Sequence, residues 1–198
     1  MRRARLIVWA IVAVTLAAIA VLMLMSPQGS NPEQRTTART DYGGPITLVG
    51  ADGKPFGSAQ LAGKPYVLFF GFTHCPDTCP TTLARLVKLR RDAGGDSAFN
   101  IVFVTVDPER DGPKEVGAYS KAFGAPIVGL TGSPEQIANV EKQFGIFVQK
   151  VPTGGGDYTM DHTATVLLFD RNGKFVGTIS PDEQDGPALD KLKRITAA

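Results

Sequence analysis

The stretch Tyr66-Val67-Leu68-Phe69-Phe70-Gly71-Phe72 is an unbroken apolar run, and the chain's only two cysteines, Cys75 and Cys79, follow it directly. A run of this kind reads as a strand buried on both faces, which demands covering layers above and below and so points to a sheet packed by helices. Ligands gather at the carboxyl ends of strands in open α/β sheets, and the cysteine pair stands just past such an end. With i and i+4 spacing, the two sulfurs share one side of a turn if Cys79 opens a helix. There they can face one soft metal ion, or each other.

The rest of the chain supplies the layers. Ile46 to Val49 and the Asp52-Gly53 turn suggest an opening hairpin. A helix is expected from about Thr78 to Arg91, with Leu83, Leu86 and Val87 inward and Gly94-Gly95 ending it. Ile101 to Val106 is the next buried strand, and Asp107 lies just past its end. Pro113 opens a helix to about Phe123, and Ile127 to Leu130 is a short strand. Ser133-Pro134-Glu135-Gln136 has the form of a capping box and starts a helix to about Phe144. Ile146 to Gln149 precedes a glycine-rich loop from Pro152 to Asp161. Thr165 to Phe169 and Lys174 to Ile179, joined through Asn172-Gly173, read as a hairpin, and a last helix fits Pro187 to Ile195. This order describes an α/β, thioredoxin-like three-layer sandwich.

Ahead of that domain, Leu6 to Met25 is a stretch of 20 residues without charge, preceded by Arg2, Arg3 and Arg5. It is long enough to span a hydrocarbon core of about 30 Å, and the positive flank belongs in the cytoplasm. A cleaved signal peptide usually has an apolar region of only about 7 to 15 residues, so an uncleaved transmembrane helix is the better reading. No cysteine lies near its end to take a lipid. The expected organisation is therefore a cytoplasmic Arg-rich tip and anchor at 1–25, a flexible linker at 26–44 and an exported domain at 45–198. The linker spans roughly 20 to 25 Å as a coil, which keeps the domain near the membrane.

Export changes the meaning of the charge. All 19 acidic residues lie beyond the anchor with 18 of the 21 basic ones, so the exported part carries a net −1 rather than the +2 of the whole chain. No basic face for nucleic acid is present in such a composition. In an oxidising compartment an isolated cysteine pair becomes a disulfide by default. A bridge closing so short a loop adds little stability, however, so a purely structural role is the poorer account of it.

Beyond the cysteines, the remaining soft-metal ligands of the exported domain are His74, His162 and Met160. His162 follows the glycine loop and precedes a buried strand, which in a thioredoxin-like sheet faces the cysteine loop. No proline occurs between Pro152 and Pro181, where redox members of that fold usually carry one beside the site. Two thiolates and an imidazole suit Cu(I), and with an open position also Cu(II) or Zn(II). The helix from Thr78, together with His74, is expected to lower the thiol pKa, which favours metal binding and thiol exchange alike. His74 is expected to tune charge rather than ligate, and Asp77 either assists metal exchange or sits as a solvated turn residue. Asp107 is expected to turn the chain, Met160 to lie outside the ligand set, and Arg90-Arg91 to form a solvated helix face.

Gly71 to Pro80, Val104-Thr105-Val106-Asp107-Pro108-Glu109-Arg110-Asp111 and Asp161-His162-Thr163-Ala164 together resemble the Sco/SenC family, in order and over about Tyr42 to Ile195. The resemblance implies a membrane-anchored thioredoxin-like protein that binds copper and serves assembly of cytochrome c oxidase, in particular the dinuclear copper site of its second subunit. It implies copper ligation by Cys75, Cys79 and His162, and a domain in the periplasm of a bacterial inner membrane or on the equivalent side of an organellar one. Its partners would be the copper-site subunit of the oxidase and, with it, another periplasmic copper chaperone or a thiol reductant.

Three classes then compete. The chain is a copper metallochaperone rather than an enzyme, or a thiol-disulfide reductase acting on the acceptor's cysteines, or a copper or redox sensor. Three residues between the cysteines, where thioredoxins have two, weigh against the reductase as sole activity. The metallochaperone is the expectation carried forward.

Overall fold

The computed structural model describes residues 42–197 together with Trp9. The expected anchor apart from Trp9, and most of the expected linker, lie outside the described residues, and among the described residues no helix is long and apolar enough to cross a membrane.

The chain opens with a hairpin of β1 (Thr47–Gly50) and β2 (Pro55–Gly57), and β3 (Tyr66–Gly71) follows a short 3-10 turn. Then come α1 (Thr78–Asp92), β4 (Asn100–Thr105), α2 (Pro113–Lys121), β5 (Val128–Thr131) and α3 (Pro134–Gln143). The second half holds β6 (Val148–Gly154), β7 (Asp157–His162), β8 (Val166–Phe169), β9 (Phe175–Ile179) and α4 (Asp185–Ala197). Seven strands form one sheet in the order β2-β1-β5-β4-β3-β8-β9, with β3, β4 and β5 parallel and the flanking pairs antiparallel. This is a mixed α/β thioredoxin-like fold.

The central strand is what the apolar run demanded. Every residue of β3 is buried, as is every residue of β8, and β4 is buried from Ile101 onward. The pleat sends alternate side chains to opposite layers. Phe69 and Gly71 face the helices α1 and α2, since Phe103 beside Phe69 packs against the Tyr119 ring of α2 and Gly71 meets Cys79 of α1. Phe70 faces the other way, onto Phe144 at the end of α3, which also meets Phe169 and Tyr42. Helix α4 packs on α1 and β8. The capping box is complete: Gln136 N–H donates to Ser133 Oγ, and Ser133 N–H to Gln136 Oε1, at 3.2 and 2.8 Å.

Two expectations give way here. The segment Pro152 to Asp161 is not a loop but most of a two-stranded hairpin, β6–β7, pairing Val148 with His162 through Gly154 with Asp157. Gly154, Gly155 and Gly156 turn it with φ of +96°, +64° and +88°, conformations that glycine adopts without steric cost. Its strands are polar and mostly uncovered, so the alternation that reveals a half-buried strand is missing. Of the arginine pair expected on a solvated face, Arg91 is exposed but Arg90 is buried. Its guanidinium donates to the Pro126 carbonyl at 2.7 Å and meets Asp96 at 3.0 Å, because the end of α1 must pack over the return to β4.

Candidate metal centre

The loop after β3 turns at once, with Cys75 N–H donating to the Phe72 carbonyl, and enters α1 at Thr78. Cys79 is therefore the second residue of the helix. Its side chain is fully buried, whereas Cys75 is half-buried. Gly71 makes room for it: a Cβ there would stand 2.8 Å from Cys79 Sγ, so the thiol sits directly on the backbone of β3. Both thiols are free, and Cys79 N–H donates to Cys75 Sγ at 3.4 Å.

His162 arrives from the far side of the site as the last residue of β7. Its ring lies edge-on to Phe72 at 5.9 Å and to Phe69 at 6.4 Å between centroids, and its Nε2 is 3.6 Å from Cys79 Sγ. Nδ1 lies 3.1 Å from the Thr163 carbonyl, which can only accept, so Nδ1 carries the proton and Nε2 presents its lone pair to the sulfur. Burial holds the imidazole pKa below its usual value, which keeps the ring neutral. This is how metal-ligating histidines are oriented, with the second nitrogen tied to a backbone oxygen.

The expected lowering of the thiol pKa is overturned at Cys79. Burial pushes that thiol up, and neither the helix terminus nor His74 offsets the loss of water. His74 itself is exposed and sits 3.1 Å from Thr73 Oγ1 and 3.6 Å from Asp111, away from the cysteines' hydrogen bonds. Asp77 is exposed at the N-cap of α1, its carboxylate accepting from the Thr81 hydroxyl at 3.2 Å. Met160 packs against the core from β7. Asp107 does more than turn the chain. It is buried, and its carboxylate accepts from Arg110 Nε and from the Tyr158 hydroxyl.

The donor set fits a soft ion at two of its three positions. A metal bonded to sulfur at about 2.3 Å and to nitrogen at about 2.0 Å, with an angle of about 110 to 120°, holds those atoms roughly 3.5 to 3.8 Å apart. The separation of Cys79 Sγ from His162 Nε2 falls in that span. As the side chains stand, no three or more Cys, His, Asp or Glu among the described residues are gathered tightly enough to hold an ion. An open cleft beside the site, with His74 and Pro76 on one wall and Arg110, Tyr158 and Thr159 on the other, leaves the cysteine loop accessible.

The SCO1/SenC family profile matches residues 34–197. The chain belongs to the SCO1/SenC family. It is 38% identical over 148 residues to the mitochondrial protein SCO1 homolog 1 of Arabidopsis thaliana, which covers 73% of this chain and 44% of that protein. The chain thus spans less than half the length of that relative. Among solved structures, Bradyrhizobium japonicum ScoI with copper bound is similar with a TM-score of 0.70 and 43% identity, covering 77% of this chain and 98% of that one. Arabidopsis thaliana ScoI with copper bound gives a TM-score of 0.73 and 35% identity, covering 79% and 98%.

Residues that composition could not single out complete the surroundings of the site. Arg110, Asp111 and Tyr158 hold the cysteine loop and the hairpin to the sheet, and Thr73 is bound by Asp111 through both its amide and its hydroxyl. The available signal was a pair of acids four residues apart, Asp107 and Asp111, immediately after a buried strand.

Proposed function

We propose that this SCO1/SenC chain is a copper metallochaperone, which holds copper through Cys75, Cys79 and His162 and delivers it to the dinuclear copper site of cytochrome c oxidase during assembly. The observation that carries the reading is the approach of His162 Nε2 to 3.6 Å from Cys79 Sγ, with the ring held by the bond from Nδ1 to the Thr163 carbonyl. Family membership and the copper-bound relatives support copper as the ion. Two sulfurs and a neutral imidazole are soft donors, which favours Cu(I) over Cu(II).

In this reading Cys79 and His162 form the inner pair, and Cys75 is the exchangeable third ligand. Cys75 is half-buried and joins them by rotation about its Cα–Cβ bond, a motion that side chains at a surface make readily. Binding releases the thiol protons. Release to an acceptor begins where an incoming thiol can reach, at Cys75 beside the open cleft, while Cys79 and His162 keep hold of the ion until the exchange is complete.

The arrangement of the whole chain follows the sequence: a single anchor at 1–25 with its N-terminus in the cytoplasm, a linker at 26–44 and a copper-binding domain at 45–198. The domain then works in the periplasm or an equivalent compartment, within a linker's reach of membrane-embedded oxidase subunits. A second reading is supported by the asymmetry of the cysteines. A half-exposed Cys75 beside a buried Cys79 suits thiol-disulfide exchange with an acceptor's cysteines.

A competitive Cu(I) titration of the reduced full chain decides between them, with Cys75→Ser, Cys79→Ser and His162→Ala alongside. Tight one-to-one binding weakened in all three variants supports delivery. Weak binding indifferent to His162 sinks it and leaves the exchange reading.

A further inference from the structure

The hairpin that carries His162 has no place in the main sheet. β6 and β7 pair only with each other, so no strand ladder fixes them relative to β3 and the cysteines. At their base, the His162-bearing end is tied back within the hairpin's own ends, where Thr163 N–H donates to the Phe147 carbonyl and Phe147 N–H to Thr163 Oγ1. What sets the hairpin against the body of the domain must be side chains.

The connection between β4 and α2, residues 106–112, supplies them. Asp107 is only 2% exposed, and its Oδ1 accepts from the Tyr158 hydroxyl at 2.8 Å while its Oδ2 accepts from Arg110 Nε. The Arg110 guanidinium lies over the Tyr158 ring, 3.7 Å from its centroid, and donates to the Tyr158 carbonyl at 2.9 Å and to Asp157 Oδ1 at 3.2 Å. Lys150 of β6 also lies over that ring, at 3.8 Å, and pairs with Glu109 at 2.6 Å. Tyr158 and His162 lie four residues apart on one strand, so they belong to the same face of β7. Pinning the one sets the rotation of the strand that presents the other.

The same connection grips the cysteine loop. Asp111 has no exposed surface, and its Oδ2 accepts from Thr73 N–H at 2.8 Å and Thr105 Oγ1 at 2.7 Å while its Oδ1 accepts from Thr73 Oγ1 at 2.6 Å. Its carbonyl accepts from Thr131 Oγ1 at 2.6 Å, which fixes the connection itself to β5. Thr73 stands two residues before Cys75.

We propose that the β4–α2 connection is a two-armed bracket, in which Asp107 and Arg110 hold Tyr158 and Asp111 holds Thr73, and that it sets the separation of His162 from Cys79. These are positioning residues: none touches a thiol or the Nε2 of His162. The proposal rests on the copper-site reading for its consequence, but the bracket itself can be tested without metal.

The test uses the copper-free reduced full chain first. Arg110→Ala is expected to speed amide hydrogen exchange in residues 148–162 while leaving β3 and β4 at the parent's rate. Tyr158→Phe, which keeps the ring and removes the hydroxyl, gives a smaller acceleration in the same segment and guards against a misfolded Arg110 variant. Unchanged exchange in the hairpin of both variants overturns the bracket. Competitive Cu(I) titration then reads its consequence. Arg110→Ala is expected to weaken binding by about 10- to 100-fold, as loss of an outer-shell partner does. In a His162→Ala background it should cost nothing further, because the two then act through one step. Equal losses in both backgrounds overturn the link to His162, and restoration of parental affinity by Arg110→Lys would overturn the role of the stacked planar guanidinium. A parent that fails to bind Cu(I) refutes the copper reading alone, since the exchange result stands without it.

Discussion

Cys79 Sγ and His162 Nε2 stand 3.6 Å apart although 83 residues of chain separate them. One comes from the first turn of a helix packed on β3, the other from the end of a hairpin outside the main sheet. Their meeting sets a sulfur and an imidazole nitrogen at a separation that a soft ion could bridge.

The first prediction removes one half of that meeting. His162→Ala is expected to weaken Cu(I) binding by more than the roughly 10- to 100-fold that loss of an outer-shell partner costs, with the far-UV circular dichroism of the domain unchanged. Equal affinities in variant and parent, measured against a competing chelator, would remove His162 from the ligand set.

Protons compete for the same atoms. Burial raises the Cys79 pKa, so this thiol is protonated in the free protein throughout the neutral range and must lose its proton to bind metal. Affinity for Cu(I) should therefore rise with pH, by about tenfold per unit for each proton released. His162 adds to the same trend only in acid, where its protonation would close Nε2 to the metal, since burial lowers its pKa and keeps Nε2 open through neutrality. A titration between pH 6 and 8, roughly the range above the ordinary histidine pKa, that found no pH dependence would contradict this assignment.

The same histidine gives the copper-free domain a stability signature. Its folded-state pKa is lowered, so below the ordinary value of about 6.5 the unfolded chain takes up a proton that the folded one refuses. Stability therefore falls as pH drops through that value, until the folded ring protonates too. Denaturant unfolding of the parent and of His162→Gln at pH 7.5 and 5.5 should give a smaller acid loss in the variant, and identical losses would count against a buried neutral ring.

Gly71→Ala tests the seat of the thiol. The new methyl would meet Cys79 Sγ at 2.8 Å, Phe103 at 3.1 Å and Phe69 at 3.2 Å, and the strand is held there by its pairing of Gly71 with Thr105 of β4. Overpacking of this kind costs about 1 to 3 kcal/mol. Chemical denaturation should register that loss together with weaker Cu(I) binding, and a variant matching the parent in both would show that the close approach is unimportant.

Arg90→Ala probes a charge that the packing buries. It removes the donor to the Pro126 carbonyl and leaves a void at the end of α1. A loss of about 2 to 4 kcal/mol is expected from the missing bond and the cavity together, with copper affinity unaffected. Thermal unfolding at the parental midpoint would refute it.

The local sequence determined a good deal of this protein on its own. Continuous apolar runs force strands buried on both faces, so β3, β4 and β8 were legible, and the capping box and proline marked the starts of α3 and α2 because those signals act within one turn of chain. The cysteine pair declared its place at the end of β3 for the same reason. What the tertiary structure decided involves contacts between distant segments or the cost of burial. The polar hairpin β6–β7 hides from periodicity because only Val148 and Met160 of its strands pack on the core and the rest is largely polar, the rise in the Cys79 pKa comes from the walls that Gly71 and its neighbours build around the sulfur, and Arg90 is buried by the return of the chain to β4. The separation of His162 from Cys79 likewise depends on segments far apart in sequence, since the strand bearing the histidine has no ladder to the sheet and takes its position from side-chain packing and hydrogen bonds across the fold.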